Sequence, residues 1–538
     1  MDAVSNAGKA PLAKRGGGNR RIQVAAAVFV ALGLGIGYAY AVPAAAGKPI
    51  QTAAAKATAI SAATEVCPIV VGASQGSMAA YTPANTGGVS GQAIVNQLGS
   101  STALATLTAP GTYATGQNLS GSVTNLAEDS LPLVGQAKGG LAPGFTLDGV
   151  LESGNSGTDD YGLASAACVQ PDTSFWFIGA GTDANPLAQL NMADTDSLTA
   201  QVDVAEYDSA GLMSNAAQTV NQGLVVQSGG QSSPPGQLID PANPPGAIAL
   251  HVTATTGRVT AGLLAGDSKG GGRDFVAAQV PAANLVIPGI PAAPSNTTIK
   301  LQLMLMATSQ DADVTLKWIG KSSFTPSVTV PHLSAGHVQS VDISSIPAPG
   351  ESGALEITST GGTPIIGAIK LTYSSGGSTD SAYLTPVTAL TGDAVVAANR
   401  PGSSVILTNN SSQPAQVTIT ASAQPAVAPA TPTPTSTSTH SSTATPSSTA
   451  SPSATPSATP DTVTVPPNST MAVPLTGPSG SNEFAIMVTP QSGTGQIYAA
   501  RVMTGSGPLV TVQAMSTALE AVLIPPVRSD LSGTVPQN

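Results

Sequence analysis

Ala200-Gln201-Val202-Asp203-Val204 returns as Ala312-Asp313-Val314-Thr315-Leu316 and again as Ala415-Gln416-Val417-Thr418-Ile419. Apolar and polar residues alternate in all three copies, the signature of a strand with one face turned inward. A polar turn precedes each copy, and before that lies another alternating run, at 187–192, 299–306 and 405–408. Strand, short turn and strand read as a β-hairpin.

Further elements recur at the same period. Val328-Thr329-Val330-Pro331 returns as Val463-Thr464-Val465-Pro466, with Leu224-Val225-Val226-Gln227 at the matching place in the first copy. Ala249-Leu250-His251-Val252-Thr253, Ala354-Leu355-Glu356-Ile357-Thr358 and Ala485-Ile486-Met487-Val488-Thr489 each lead into a glycine turn, at Gly257, Gly361 and Gly493. An apolar strand follows each turn. Leu285-Val286-Ile287-Pro288 and Val522-Leu523-Ile524-Pro525 look like a shared closing patch.

Six or so short strands in about 100 residues suit a β-sandwich, whereas propeller blades and solenoid coils repeat at shorter periods. The fold class expected is therefore all-β: tandem, immunoglobulin-like β-sandwich repeats after one N-terminal transmembrane helix or signal sequence. The boundaries read as an N-terminal β unit at 61–180 and repeats at 181–292, 293–398 and 399–530. The N-terminal unit is less regular, and the sequence leaves open whether it is a unit of its own or supplies strands to the first repeat.

Composition agrees. The chain of 538 residues is 41% hydrophobic but only 9% charged, and its 58 glycines and 44 prolines oppose long helices. Pro, Ser, Thr and Ala dominate residues 422–462, which lack the large apolar side chains needed to repay ordering entropy. This tract falls inside the third repeat, so it reads as a disordered surface insertion, of a composition that carries O-glycans outside cells.

The address is written at the start. Lys9, Lys14, Arg15, Arg20 and Arg21 face a single acid, Asp2, ahead of an uncharged run from Val24 to Val42. Such a run approaches the ~20 residues that cross a bilayer as helix. Residues 1–21 are then a cytoplasmic tail, 22–46 the membrane segment, 47–60 a linker, and the bulk is outside. The alternative is a secreted protein, cleaved after Ala41 or Ala46 in an A-x-A context. The acidic remainder, with net charge −11 for the whole chain, argues against a nucleic-acid partner.

Two cysteines, Cys67 and Cys168, lie beyond the apolar segment and are expected to pair as a disulfide. The bridge closes a loop of about 100 residues, stabilising by roughly 4 to 5 kcal/mol in the chain-entropy view.

Catalytic motifs are sparse. Gly72-Ala73-Ser74-Gln75-Gly76 matches the nucleophile-elbow pattern, but an elbow needs a helix after its serine and several strands before it. Here Thr82-Pro83 follows at once, so Ser74 is a weak hydrolase candidate. His332 and His337 flank a turn and lack a third metal ligand, while His251 falls where the other copies carry Glu356 and Met487. Asp159-Asp160, Asp194/Asp196 and Asp311/Asp313 lack the calcium-loop pattern and read as turn residues. Trp176 and Trp318, the two tryptophans, read as core, with a sugar platform the sharper alternative for Trp176. No cofactor, metal site or catalytic residue is expected.

The basic N-terminus with one apolar segment, the early Cys67-Pro68, Cys168 followed by Trp176-Phe177-Ile178-Gly179, and the A-x-V hairpins with V-T-V-P turns carry a resemblance. The chain resembles an uncharacterised actinobacterial family of membrane-anchored or secreted extracytoplasmic proteins that carries only a domain-of-unknown-function label. The likeness spans most of residues 60–530. It departs at Met192-Ala193-Asp194, where Asn-Pro is expected, and in the Pro/Ser/Thr tract. The resemblance implies no activity. The expectation is a non-enzymatic structural, spacer or binding protein of the cell envelope. The alternatives are an accessory module for cell-wall glycan or an envelope enzyme, and a serine hydrolase using Ser74.

Overall fold

The computed structural model describes residues 56–67, 75–83, 90–108, 113–115, 132–153, 161–183, 185–213, 221–234, 238, 246–423, 461–478 and 481–524. The apolar segment at 22–46, Ser74 and the tract at 424–460 lie outside them. No helix among the described residues is long and apolar enough to cross a membrane. The chain divides into Met1–Thr58 with Leu523–Asn538, and Ala59–Val522. Strand β1 (Lys56–Ala59) pairs with β35 (Ala521–Ile524).

Ala59–Val522 is all-β, and its strands fall into four successive repeats. The N-terminal repeat holds β2 (Ala62–Val66), β3 (Gln75–Tyr81), β4 (Gly91–Gln97), β5 (Ala103–Leu107), β6 (Tyr113–Thr115), β7 (Leu133–Gly139), β8 (Thr146–Ser153) and β9 (Gly162–Ala167). Repeat 1 holds β10 (Ser174–Ala180), β11 (Pro186–Ala193), β12 (Ala200–Asp208), a short extra β13 (Gly211–Leu212), β14 (Leu224–Val226), β15 (Gln231–Ser232), β16 (Ile248–Thr256), β17 (Thr260–Asp267) and β18 (Arg273–Val276). Repeat 2 holds β19 (Asn284–Ile290), β20 (Thr298–Ala307), β21 (Val314–Ile319), β22 (Ser323–Phe324), β23 (Gln339–Asp342), β24 (Gly353–Ser359), β25 (Ile365–Ser375) and β26 (Ser378–Leu384). Repeat 3 holds β27 (Ala394–Asn399), β28 (Ser404–Asn409), β29 (Ala415–Ser422), β30 (Asp461–Val465), β31 (Ser469–Pro474), β32 (Phe484–Pro490), β33 (Ile497–Thr504) and β34 (Val510–Met515).

One topology serves all four. Setting β13 aside, the strands of a repeat form two antiparallel sheets, ordered first-sixth-third-fourth and fifth-second-seventh-eighth. The two sheets share an apolar core. This β-sandwich-like order differs from the A-B-E-D and C-F-G order of immunoglobulin domains, because the first strand pairs with the sixth and not with the second. The same pairing assigns β10, β19 and β27 to the repeat that follows each. Their sequences had placed them at or before the preceding boundary.

The repeated A-x-V motif falls in structural register. Ala200, Ala312 and Ala415 lie opposite Val226, Leu333 and Val465, and all six are buried. Val328-Thr329-Val330 is therefore not the counterpart of Val463-Thr464-Val465, since Leu333 takes the Val465 place. Nor do Leu285–Pro288 and Val522–Ile524 correspond. The former opens repeat 2 in β19, whereas the latter pairs with β1. Both readings matched apolar composition, which identifies a strand but not its partner.

The four repeats close into a ring. The first sheet of each repeat packs its outer face on the second sheet of the next. Core residues of repeat 1 meet Met304, Met306, Ile366 and Ala368 of repeat 2. Those of repeat 2 meet Ile406, Ala500 and Val512 of repeat 3. Val395, Ala397 and Met503 of repeat 3 meet Ala79, Tyr81 and Val150 of the N-terminal repeat. Val66 and Val134 of that repeat meet Ala193 of repeat 1.

Linkers staple the first three junctions. Each bonds the first strand of the repeat it leaves and the seventh strand of the repeat it enters. Val169 bonds Val66 and Asp172 bonds Val259. Gln279 bonds Trp176 and Ala282 bonds Ile365. Val387 N–H reaches Val286 and Leu390 N–H reaches Ile497. At the fourth junction the C-terminal segment takes the linker's place: Ala518 N–H donates to Asp393, and Leu519 accepts from Gly144 just before β8.

Candidate functional site

The eighth strands β9, β18, β26 and β34 pack around the middle of the ring, each paired within its sheet on one side only. Their other edges carry backbone donors that need partners once buried. Aspartates from other repeats supply them. Asp380 Oδ2 on β26 accepts from Leu163 N–H on β9 (3.1 Å) and Val510 N–H on β34 (2.8 Å). Asp274 on β18 accepts from Ser165 N–H (2.9 Å) through Oδ1 and from the Thr511 hydroxyl (2.8 Å) through Oδ2. Asp148 on β8 accepts from Ala397 N–H and Gln513 Nε2, both at 2.6 Å. The Ala397 donor is freed by a bulge in β27 between Val396 and Asn399.

Arg501 on β33 completes the group, its guanidinium donating to Gln513 Oε1 and lying 3.7 Å from Met503 Sδ. Asp148, Asp274, Asp380 and Arg501 are all fully buried. Burial pushes the Asp148 carboxyl up to about 6 and Asp274 up to about 8, and holds Asp380 well above the carboxylate range. Burial also lowers Arg501 to about 10, leaving it a cation at neutral pH.

A cleft of about 390 Å³ opens beside this group, between the N-terminal repeat and repeat 3. Buried Leu163 and Met503 line it together with an Arg400–Glu152 ion pair at 2.8 Å. Asn482, Glu483 and Thr504 complete its polar lining.

A second surface lies on repeat 1. Trp176 stacks on His251 with ring centroids 3.8 Å apart and planes 8° apart, and Tyr207 stands 5.9 Å from the indole. All three are half-buried. His251 Nε2 hydrogen-bonds the Ser174 hydroxyl at 3.0 Å and the Thr253 hydroxyl at 3.2 Å. Ser174 and His251 have the spacing of a nucleophile and its base, but among the described residues no carboxylate bonds His251 as the third member of a triad. Burial lowers the His251 value.

The remaining sequence candidates separate. Cys67 and Cys168 meet as a disulfide that ties the end of β2 to the residue after β9. Ser74 lies outside the described residues, and the chain after it enters strand β3, not the helix an elbow requires. His332 bonds Asp313 at 2.9 Å and approaches Asp311 at 3.5 Å, an exposed set. His337 instead meets the Ser209 carbonyl across the junction of repeats 1 and 2. Asp194 accepts the Asp196 and Ala200 N–H groups inside its turn, and Asp196 pairs with Arg258. No group of His, Cys, Asp or Glu among the described residues is placed to hold a metal ion. Trp318 is fully buried.

Sequence reasoning missed the axial aspartates. They occupy different positions in their repeats, Asp274 opposite Ala265 and Asp380 opposite Tyr373. No periodic signal could have joined them.

Residues 121–447, more than half of the chain, match the model of a family of unknown function, DUF5719. The chain belongs to the DUF5719 family. The DUF5719 match begins within the N-terminal repeat, spans repeats 1 and 2, and ends between β29 and β30. No curated protein matches the chain.

Proposed function

We propose that this protein is a non-enzymatic platform of the cell envelope, a rigid ring with a structural or binding role. It is held outside the membrane by residues 22–46, or released by cleavage after Ala41 or Ala46. The observation that carries the platform reading is the filled centre of the ring. Asp148, Asp274 and Asp380 each accept bonds from other repeats, so their chemistry is used in closure rather than held ready for a substrate. The disulfide supports an oxidising compartment, and the flanking cations support the outward orientation. The acidic chain has no nucleic-acid partner in this reading.

A phosphatase reporter fused after residue 60 should be active when the fusion is exported, and an inactive reporter overturns the orientation. A covalent serine-hydrolase probe should leave wild type unlabelled. Labelling that disappears in Ser74→Ala would replace the platform with the hydrolase reading.

The Trp176–His251–Tyr207 stack with its hydroxyls favours a second reading, an accessory module for cell-wall glycan. Trp318 is sealed in the core, so a shift in tryptophan emission on adding soluble peptidoglycan fragments reports Trp176. An unchanged spectrum, together with no retention on insoluble peptidoglycan, removes the glycan reading.

A further inference from the structure

Three junctions of the ring are crossed by a covalent linker, at 169–172, 279–282 and 387–390. The fourth, between repeat 3 and the N-terminal repeat, is not. It is covered by the C-terminal segment, where the Thr517 hydroxyl meets Thr391 N–H at 3.0 Å and Glu520 accepts from Ile60 N–H at 3.0 Å. Ring opening therefore needs no chain to cross the gap at this place alone.

All three axial carboxylates bond both sides of that junction. Asp148, itself in the N-terminal repeat, holds Ala397 and Gln513 of repeat 3. Asp274 holds Ser165 on one side and Thr511 on the other. Asp380 holds Leu163 and Val510. Two of these bonds also cross covalent junctions, Asp274 with Ser165 between the N-terminal repeat and repeat 1, and Asp380 with Val510 between repeats 2 and 3, but there a linker holds the repeats together. The covalent junctions carry further devices: buried Lys370 pairs with Asp183 between repeats 1 and 2, and Thr470 bonds the Ile319 carbonyl between repeats 2 and 3.

We propose that these three carboxylates are a proton-controlled clasp: they hold the ring closed while they share protons, and the ring opens between repeat 3 and the N-terminal repeat when all three ionise. The charge balance gives the reason. Among the described residues, Arg501 is the one cation buried with these carboxylates, so full ionisation leaves two negative charges uncompensated in a dry interior.

The other ionisable groups nearby do not restore the balance. On the N-terminal repeat they are Glu65, whose carboxylate accepts from Leu147 N–H beside Asp148 and adds negative charge there, and Glu152, Tyr81 and Tyr161, with Glu152 already bonded to Arg400 of repeat 3. Repeat 1 offers Arg273 next to Asp274, a partly exposed residue with bonds of its own. Tyr383 stands on β26, and Lys370 is engaged by Asp183. Strand β34 brings Val510, Thr511 and Gln513 to the group, none of them ionisable. The raised proton affinities of Asp148 and Asp274 agree with this account. Opening uncovers apolar Ala79, Tyr81, Val395, Ala397 and Met503 and widens the Arg400–Glu152 cleft.

Hydrogen exchange on the full chain tests the clasp, read at about pH 5, 7 and 9 after correction for the intrinsic rate. Peptides covering β27 and β8 should lose protection by about tenfold or more at the highest pH, while β10, β19 and β25 keep theirs. Asp274→Asn preserves the acceptor for Ser165 and can donate to the Thr511 hydroxyl, and it should abolish most of the response. If that variant does not fold, Asp148→Asn removes a different charge from the same clasp and should act alike. Equal loss of protection at all four junctions overturns the proposal. So does a flat wild-type profile, or a neutralised variant that responds like wild type.

Discussion

Gly272 lies against the backbone of Asp380 and Ser381, where a Cβ would meet the Asp380 Cα at 2.5 Å. Its φ of +90° also suits glycine alone. Gly272→Ala should therefore push β18 away from β26 and destabilise the ring by about 2 kcal/mol or more. The check is the denaturant midpoint, which should fall without a change in slope. A glycine of another kind is Gly353, whose missing side chain makes room for the buried Trp318 indole. Both are invisible as motifs in a chain with 58 glycines. Trp318 was readable because it continues the Val314–Leu316 alternation, and Trp176 was half-readable, since its sheet face is shared with His251 and Tyr207.

At the scale of the element, the strands that recur in sequence are those whose side chains fill each repeat's own core. Ala249–Thr253, Ala354–Thr358 and Ala485–Thr489 fall in β16, β24 and β32, and each is followed by its left-handed glycine turn. The N-terminal repeat has the same eight strands, yet its sixth, Leu133–Gly139, carries Gly135 packed under Phe145 where the others place larger residues. Topology survives that change because backbone pairing needs alternation, not a fixed residue. The C-terminal segment is the element with the largest expected effect for its size. Ending the chain at Met515 removes the bonds to Asp393, Gly144 and Ile60. Proteolysis should then begin at the exposed faces of β27 and β8, ahead of any cleavage in repeats 1 and 2. Simultaneous loss of all four repeats would argue that the segment does not guard one junction.

For the whole molecule, buried carboxylates reverse the usual pH trend. Asp148 and Asp274 bind protons more tightly folded than unfolded, so the native state carries the extra proton between the ordinary carboxylate range and about pH 6 and 8 respectively. Stability is then highest in acid and falls as pH rises through that window, by up to about 1.4 kcal/mol per pH unit for each such group. Glu206, pushed by burial to about 7, adds to the same slope. Thermal unfolding followed from about pH 5 to 8 should show a declining midpoint, and a rising one would contradict the buried-acid account. The Pro/Ser/Thr tract belongs to this scale too. Ile419 pairs with Asp461, so the tract connects the two strands of a hairpin. Replacing residues 424–460 with a short turn should leave the unfolding midpoint within about 1 kcal/mol of the parent. Loss of folding would mean the tract has a structural role.

The sequence by itself determined the all-β class and the register of the A-x-V strands in three repeats, because a half-buried strand must alternate along its own length. It also marked the two cysteines as a pair. It misread the hairpins: the run before each A-x-V strand lies in the opposite sheet of its repeat, since a short turn can cross between sheets as well as join paired strands. Tertiary structure alone decided that a fourth repeat precedes the three, that β10, β19 and β27 open the repeats they follow into, and that the whole closes as a ring. It alone brought Asp148, Asp274, Asp380 and Arg501 together. Those contacts join residues up to 365 positions apart, at places with no common spacing, so their pairing is set by the docking of finished sheets and leaves no period in the chain.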